Sequence, residues 1–137
     1  VAEYISNSPE ETKKIAKKIA RTLNPGDIMY LYGELGSGKT VFVKGLCTGL
    51  GVDEEVTSPS FVIATEYRGT MVVAHIDLYR LQRGMAGELP IEEYMLSDGI
   101  TVIEWADRIE ISKKGIRVDI DIVDRTKRVI KIEDLRN

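Results

Sequence analysis

The chain has one cysteine, Cys47, among 137 residues, so no disulfide can form within it. It has no excess of positive charge either: the net charge is −3 and the pI about 5.3. Proteins that grip nucleic acid unaided neutralise phosphates with clustered Lys and Arg, and this composition argues against a broad footprint of that kind. No apolar run is long enough to span a bilayer, and no signal-peptide pattern stands out. The expectation is a cytoplasmic protein without membrane contact. Repeats, linkers and low-complexity tracts are absent, and the length predicts one domain over residues 1–137 with a core large enough to fold unaided.

What is present reads as alternating helices and strands. Ser8 as N-cap, Pro9 at the first helical position and Glu11 three residues after the cap form a capping box. Ile15, Ala16, Ile19, Ala20 and Leu23 follow at helical spacing, and "NPG" ends that helix. "DIMYLY" is predicted as a short buried strand, "VFVKGLCTGLG" as a helix stopped by Gly49 and Gly51, and "FVIATEY" and "MVVAHID" as a hairpin around Arg68, Gly69 and Thr70. "PIEEYML" reads as a short helix begun by Pro90, and "ITVIEW" as another buried strand. In "IRVDIDIV", Ile116, Val118, Ile120 and Ile122 alternate with charged residues, so one face is expected to be buried and one wet, with "RVIKI" pairing back across "DRTK". The sum is an α/β domain, a mixed central β-sheet flanked by helices with antiparallel additions.

"GELGSGKT", Gly33 to Thr40, matches GxxxxGK(S/T) at all four specified positions, between a predicted strand and a predicted helix. That pattern makes a phosphate-binding loop. Gly33, Gly36 and Gly38 let the backbone curl so that successive N–H groups converge, and the following helix N-terminus adds about half a positive charge at the same point. Lys39 can reach the β and γ phosphates, and the Thr40 hydroxyl can ligate Mg²⁺. Lys39 is expected on an exposed loop, outside the core.

A bound Mg²⁺ needs a carboxylate as well, usually from the end of a neighbouring strand. Asp77 ends "MVVAHID" and Glu104 ends "ITVIE". Either acid can serve the metal, and either can instead face water or pair with an arginine such as Arg80. His75 can orient Asp77 or simply fill the core. Trp105 can flank the nucleotide, anchor a partner, or be a half-buried core aromatic. No NKxD-type base-reading sequence is present, which favours ATP over GTP, and no helical lid insertion suits a small-molecule kinase unless the loop from Gln82 to Leu89 serves.

Taken jointly, "GELGSGKT", "TSPSFVIATEY", "HIDLYRL" and "IEW" resemble, in order and spacing, the TsaE (YjeE) family, the small P-loop ATPases of bacterial tRNA threonylcarbamoyladenosine synthesis. The likeness runs from the "SPEET" helix to the region of Arg128. It implies a P-loop NTPase fold, with ATP and Mg²⁺ as cofactors. It also implies action on a complex of TsaB and TsaD that carries the transferase chemistry, so that tRNA is met only indirectly. By the same resemblance, the nucleotide is held by Gly33, Leu35, Gly36, Ser37, Gly38, Lys39, Thr40 and Val41, with Thr12 and Arg128 at the base. Asp77, Glu104 and Lys39 take catalytic roles, and Thr40, Glu104 and Asp77 the metal. "TSPSF" resembles a switch-like loop, with Ser60 where the family usually has Thr.

Two other readings remain at this level. One is a small P-loop kinase whose acceptor lies near "RGMAGE"; the other is a non-catalytic assembly module in which ATP only fixes a binding surface. A lone domain with a complete loop and no arginine supplied from outside is expected to hydrolyse ATP slowly.

Overall fold

The structure is a computed structural model that describes residues 1–57, 64–79, 91–111 and 113–136. Seven strands form one sheet in the order β1-β7-β6-β2-β5-β4-β3. They are β1 (Ala2–Ser6), β2 (Ile28–Tyr32), β3 (Ala64–Arg68), β4 (Val72–Asp77), β5 (Ile100–Glu104), β6 (Ile116–Ile122) and β7 (Arg128–Asp134), with helices α1 (Pro9–Ala20) and α2 (Lys39–Gly49). β6, β2, β5 and β4 run parallel, and antiparallel strands complete both edges. Burial explains the centre: "IMYLY" and "ITVIE" are buried on both faces, as parallel strands covered on both sides are.

One face carries the larger core, in which Met29, Leu31, Val73, Ile100 and Val102 meet Ala16, Phe42, Val43 and Leu46 of the two helices. The other buries Ile28, Tyr30, Ile76, Leu78 and Ile103 against Ile91 and Ala106. The helices touch along a glycine seam. A Cβ added to Gly45 would lie 2.5 Å from the Lys13 carbonyl oxygen, and one added to Gly49 would lie 2.6 Å from Ala20 Cβ, so only glycine permits this approach.

Several expectations need adjusting. The chain opens on a strand rather than on the helix, because β1 finds its partner in β7, which is distant in sequence. The Ser8 hydroxyl does accept from the Glu11 amide at 3.1 Å, but the Glu11 carboxylate accepts from the Asn7 amide instead of closing back on Ser8. α1 ends at Ala20, with Arg21 as its cap, before "NPG" is reached. The "PIEEYML" helix is a single 3-10 turn over Ile91–Tyr94. Ile122 is exposed although the alternation placed it inside, because it is the last residue of β6, where the sheet runs out into the hairpin. β7 continues past "RVIKI" to Asp134. Phe61 to Ile63, Pro90, Arg80 and the "RGMAGE" segment lie outside the described residues.

Candidate nucleotide site

The carboxyl ends of β2, β5 and β4 define the site, the edge at which ligands of open α/β sheets bind. Gly33 follows β2 directly, and the loop from Gly33 to Gly38 leads into α2. Gly36 has φ +81° and Gly38 has φ +107°, both left-handed, and a Cβ placed on either would meet nothing within 4 Å. The glycines there serve backbone conformation and leave the inner side of the loop open to a ligand. The Ser37 hydroxyl is buried at this loop without a partner among the described residues. Leu35 is 69% exposed at the tip.

Lys39 is not the exposed residue expected of a loop. It is 5% exposed, its ammonium donating to the carbonyls of Gly33 at 2.6 Å and Glu34 at 3.0 Å and lying 4.0 Å from the centre of the Trp105 ring. Burial pulls its pKa below the usual lysine value, while Glu104, Asp77 and Asp107 pull it back up. Trp105 is the one non-glycine residue with positive φ (+58°) among the described residues. It occupies the sharp exit from β5, with the Tyr79 ring 5.0 Å away. A bulky residue held in that conformation costs about 1–3 kcal/mol and is a feature of functional sites. Of the three sequence readings of Trp105, the geometry brings forward the one beside the nucleotide loop.

The sheet register brings the two acids together. Asp77 and Glu104 are paired residues on adjacent parallel strands, and both lie on the face that carries Val73, Val102 and the helices. Glu104 is 2% exposed, and the Thr40 hydroxyl lies 3.1 Å from each of its carboxylate oxygens. Asp77 accepts from the Tyr79 amide at 3.0 Å. Burial is the main cause that lifts its pKa above the usual carboxylate value, with Glu104 adding to it and the Tyr79 amide, His75 and Lys39 opposing. One hydroxyl and two carboxylates make an all-oxygen set suited to Mg²⁺, which prefers one or two protein carboxylates together with waters and phosphate oxygens. Among the described residues no cluster of three or more His, Cys, Asp or Glu forms a closed metal cage.

His75 does not orient Asp77. Its Nε2 lies 2.5 Å from Glu104 Oε2, a contact that sequence could suggest only once β4 and β5 were known to be neighbours.

Beside the loop lies a cleft of about 250 Å³ whose walls include Ser8, Thr12, Gly36, Gly38, Val41 and Arg128. That is below the roughly 300 Å³ of a pocket for a whole small ligand, so it suits one part of a larger molecule. Thr12 and Arg128, distant in sequence, meet here. Thr12 is buried, not the solvated first-turn residue its composition suggests; its hydroxyl lies 2.7 Å from that of Ser6, which itself donates to the Ser8 carbonyl. Ser6 has one proton to give, so Thr12 is the donor between them and keeps acceptor capacity only. The Arg128 guanidinium donates to the carbonyls of Ser37 (3.0 Å), Gly36 (3.2 Å), Asp124 (2.8 Å) and Lys127 (3.1 Å). Four of its roughly five donor positions are thus spent on backbone. It clamps the phosphate loop to the β6–β7 hairpin.

The remaining residues are simpler. Cys47 is buried in the helix core, its thiol pushed up to about 12 by burial, so it packs and does not react. The "TSPSF" loop beyond Thr57 is outside the described residues. No helix among the described residues is long and apolar enough to cross a membrane.

The geometry agrees with relatives of known family. The family model described as threonylcarbamoyl adenosine biosynthesis protein TsaE matches residues 6–130. The tRNA threonylcarbamoyladenosine biosynthesis protein TsaE of Bacillus subtilis is 44% identical over 116 residues, covering 84% of this chain and 73% of its own length. That of Treponema pallidum is 33% identical over 131 residues, covering 93% and 97% respectively. The crystal structure of Bacillus subtilis YdiB superposes with a TM-score of 0.84 at 34% identity, over 98% of this chain and 85% of that one. A family match of this extent, on a mixed sheet whose central strand feeds a glycine loop and helix, leads to one conclusion: the chain belongs to the TsaE family of tRNA threonylcarbamoyladenosine biosynthesis proteins and has a P-loop NTPase fold.

Proposed function

We propose that this chain binds ATP with Mg²⁺ and hydrolyses it, slowly alone and faster with a TsaB–TsaD complex, touching tRNA only through that complex. The observation that carries this reading is the convergence of the open Gly36–Gly38 curl, the Lys39 ammonium and the Thr40–Glu104–Asp77 oxygens at one edge of the sheet. The amides at the start of α2 and the Lys39 ammonium are suited to the phosphates. Thr40, Glu104 and Asp77 are the residues that would hold the ion, which when bound neutralises charge on the β and γ phosphates. Asp77, with its raised pKa, would accept a hydrogen bond from an attacking water or share the ion. Thr12, Val41 and Arg128 shape the cleft for the nucleoside.

Phosphoryl transfer to water depends mostly on position and charge, and an arginine supplied in trans is worth about 10³–10⁵ in rate in other P-loop proteins. The test is ATP turnover by the chain alone and with the two partner proteins. Stimulation by the partners is the expected result; full-speed turnover by the isolated chain contradicts the coupled reading. Glu104→Gln is expected to cut turnover by more than the about 10–100-fold that losing an outer partner of a metal ligand costs. If that variant still supports the tRNA modification without hydrolysis, ATP is an assembly signal and not a fuel.

A further inference from the structure

His75 is the only histidine in the chain. It is fully buried on β4, two residues before Asp77, and plays no part in the phosphate chemistry just described. Its register partner on β5 is Val102, so its ring reaches along the sheet to the carboxylate of Glu104, where Nε2 and Oε2 are 2.5 Å apart. A carboxylate that holds a cation only accepts, so Nε2 carries the proton. Nδ1 is buried with no partner among the described residues, so Glu104 is the one polar side chain seen to hold the ring there. The bonding pattern therefore puts a proton on Nε2, between the ring and Glu104.

Thr40 cannot fix the Glu104 carboxylate alone. Its hydroxyl is 3.1 Å from both oxygens, so it does not choose between them. The imidazole supplies the missing constraint. It takes one named oxygen from one side, while the Tyr67 ring, whose centroid is 6.4 Å away, flanks the imidazole. Tyr67 is itself pinned through its hydroxyl to the backbone of Thr57, so the ring beside His75 is anchored.

From this geometry we infer that His75 is a positioning residue for the divalent-cation site: its Nε2–H sets the plane of the Glu104 carboxylate so that Glu104 and Thr40 face the same ion. The inference rests on the nucleotide reading above and adds to it a residue that touches neither phosphate nor metal.

The experiment titrates Mn²⁺ into the full chain with ADP, followed by electron paramagnetic resonance, beside calorimetric ADP binding without metal. His75→Phe fills the space but removes the donor. It is expected to weaken Mn²⁺ binding about 10–100-fold, the usual cost of losing an outer partner of a metal ligand, and to leave metal-free ADP binding unchanged. His75→Gln, which keeps an N–H near the Nε2 position, is expected to restore most of the loss. Wild-type Mn²⁺ affinity in His75→Phe overturns the inference while the nucleotide reading stands. So does an equal loss of ADP binding with and without metal, the mark of a merely structural histidine. A wild-type chain that binds neither ADP nor Mn²⁺ sinks both.

If His75→Phe does not fold, nitrogen-15 NMR of the wild type decides, because the single imidazole needs no assignment. A protonated Nε2 whose signal shifts when Mg²⁺ and ADP are added is expected. An Nδ1–H tautomer, or a ring indifferent to the cation, overturns the inference.

Discussion

The phosphate loop and the cleft beside it share Gly36, Ser37 and Gly38, yet they are built by different means. On the loop side the polar groups are backbone amides and residues at strand ends, each fixed by sheet register or by the start of a helix. On the cleft side the walls come from α1, the loop and the β6–β7 hairpin, and a single arginine ties hairpin to loop through carbonyl oxygens. The loop side is preorganised by the sheet that makes up the core. The cleft side depends on one side chain and on how closely α1 can approach α2. A ligand spanning both would have its charged end gripped rigidly and its other end held by a surface that can adjust.

The largest expected consequence of this division is at Lys39. Lys39→Ala removes the ammonium proposed to meet the phosphates and is expected to weaken ATP about a hundredfold, the scale of losing one or two hydrogen bonds to a charged group. The chain should still fold, because the variant loses two carbonyl bonds but also no longer has to bury a charge. Calorimetric titration reads the affinity and thermal unfolding the fold. Unchanged affinity removes the phosphate assignment altogether.

Arg128→Lys tests the other side. An ammonium cannot span four carbonyls as the planar guanidinium does, so the hairpin should loosen from the loop. ATP and ADP are expected to weaken together by about tenfold, equivalent to one charge-assisted hydrogen bond, with their ratio unchanged. If the variant instead loses ATP selectively, the clamp acts on the γ-phosphate end and the division into two sides is wrong.

Sequence made the loop side legible and the cleft side hardly at all. Gly33 to Thr40 lies within eight consecutive residues, and Asp77 and Glu104 stand at the ends of strands whose apolar runs are plain to see. The local pattern therefore carried the chemistry. Which acid neighbours which, and that His75 belongs to Glu104, depends on β4 lying beside β5, a pairing with no local signature. The same holds for β1, whose partner β7 is at the far end of the chain, and hence for Ser6, which takes the Thr12 proton. Lys39 was misplaced as an exposed residue because nothing in the motif says that Trp105, following a strand far along the chain, folds over it. Of the Gly45–Gly49 seam only Gly49 stands out in the sequence, as part of a helix stop, although a glycine spacing of four also allows close helix packing.

The smallest expected effect concerns stability rather than affinity. The raised pKa of Asp77 means that the folded chain keeps that proton over a pH range in which the unfolded chain has already lost it. Within and above that range the ionised carboxylate, desolvated first by burial and then repelled by Glu104, costs the fold stability; below the ordinary carboxylate range the cost is gone. Asp77→Asn keeps an oxygen to accept from the Tyr79 amide but carries no charge. The variant is therefore expected to be slightly more stable than the wild type at pH 7, by less than about 1 kcal/mol, and equal to it in acid, while losing ATP turnover. Thermal unfolding at the two pH values reads the difference. A variant less stable at neutral pH would mean that the Asp77 charge anchors the loop side, and the preorganisation there would then owe more to ion pairing than to the register of the sheet.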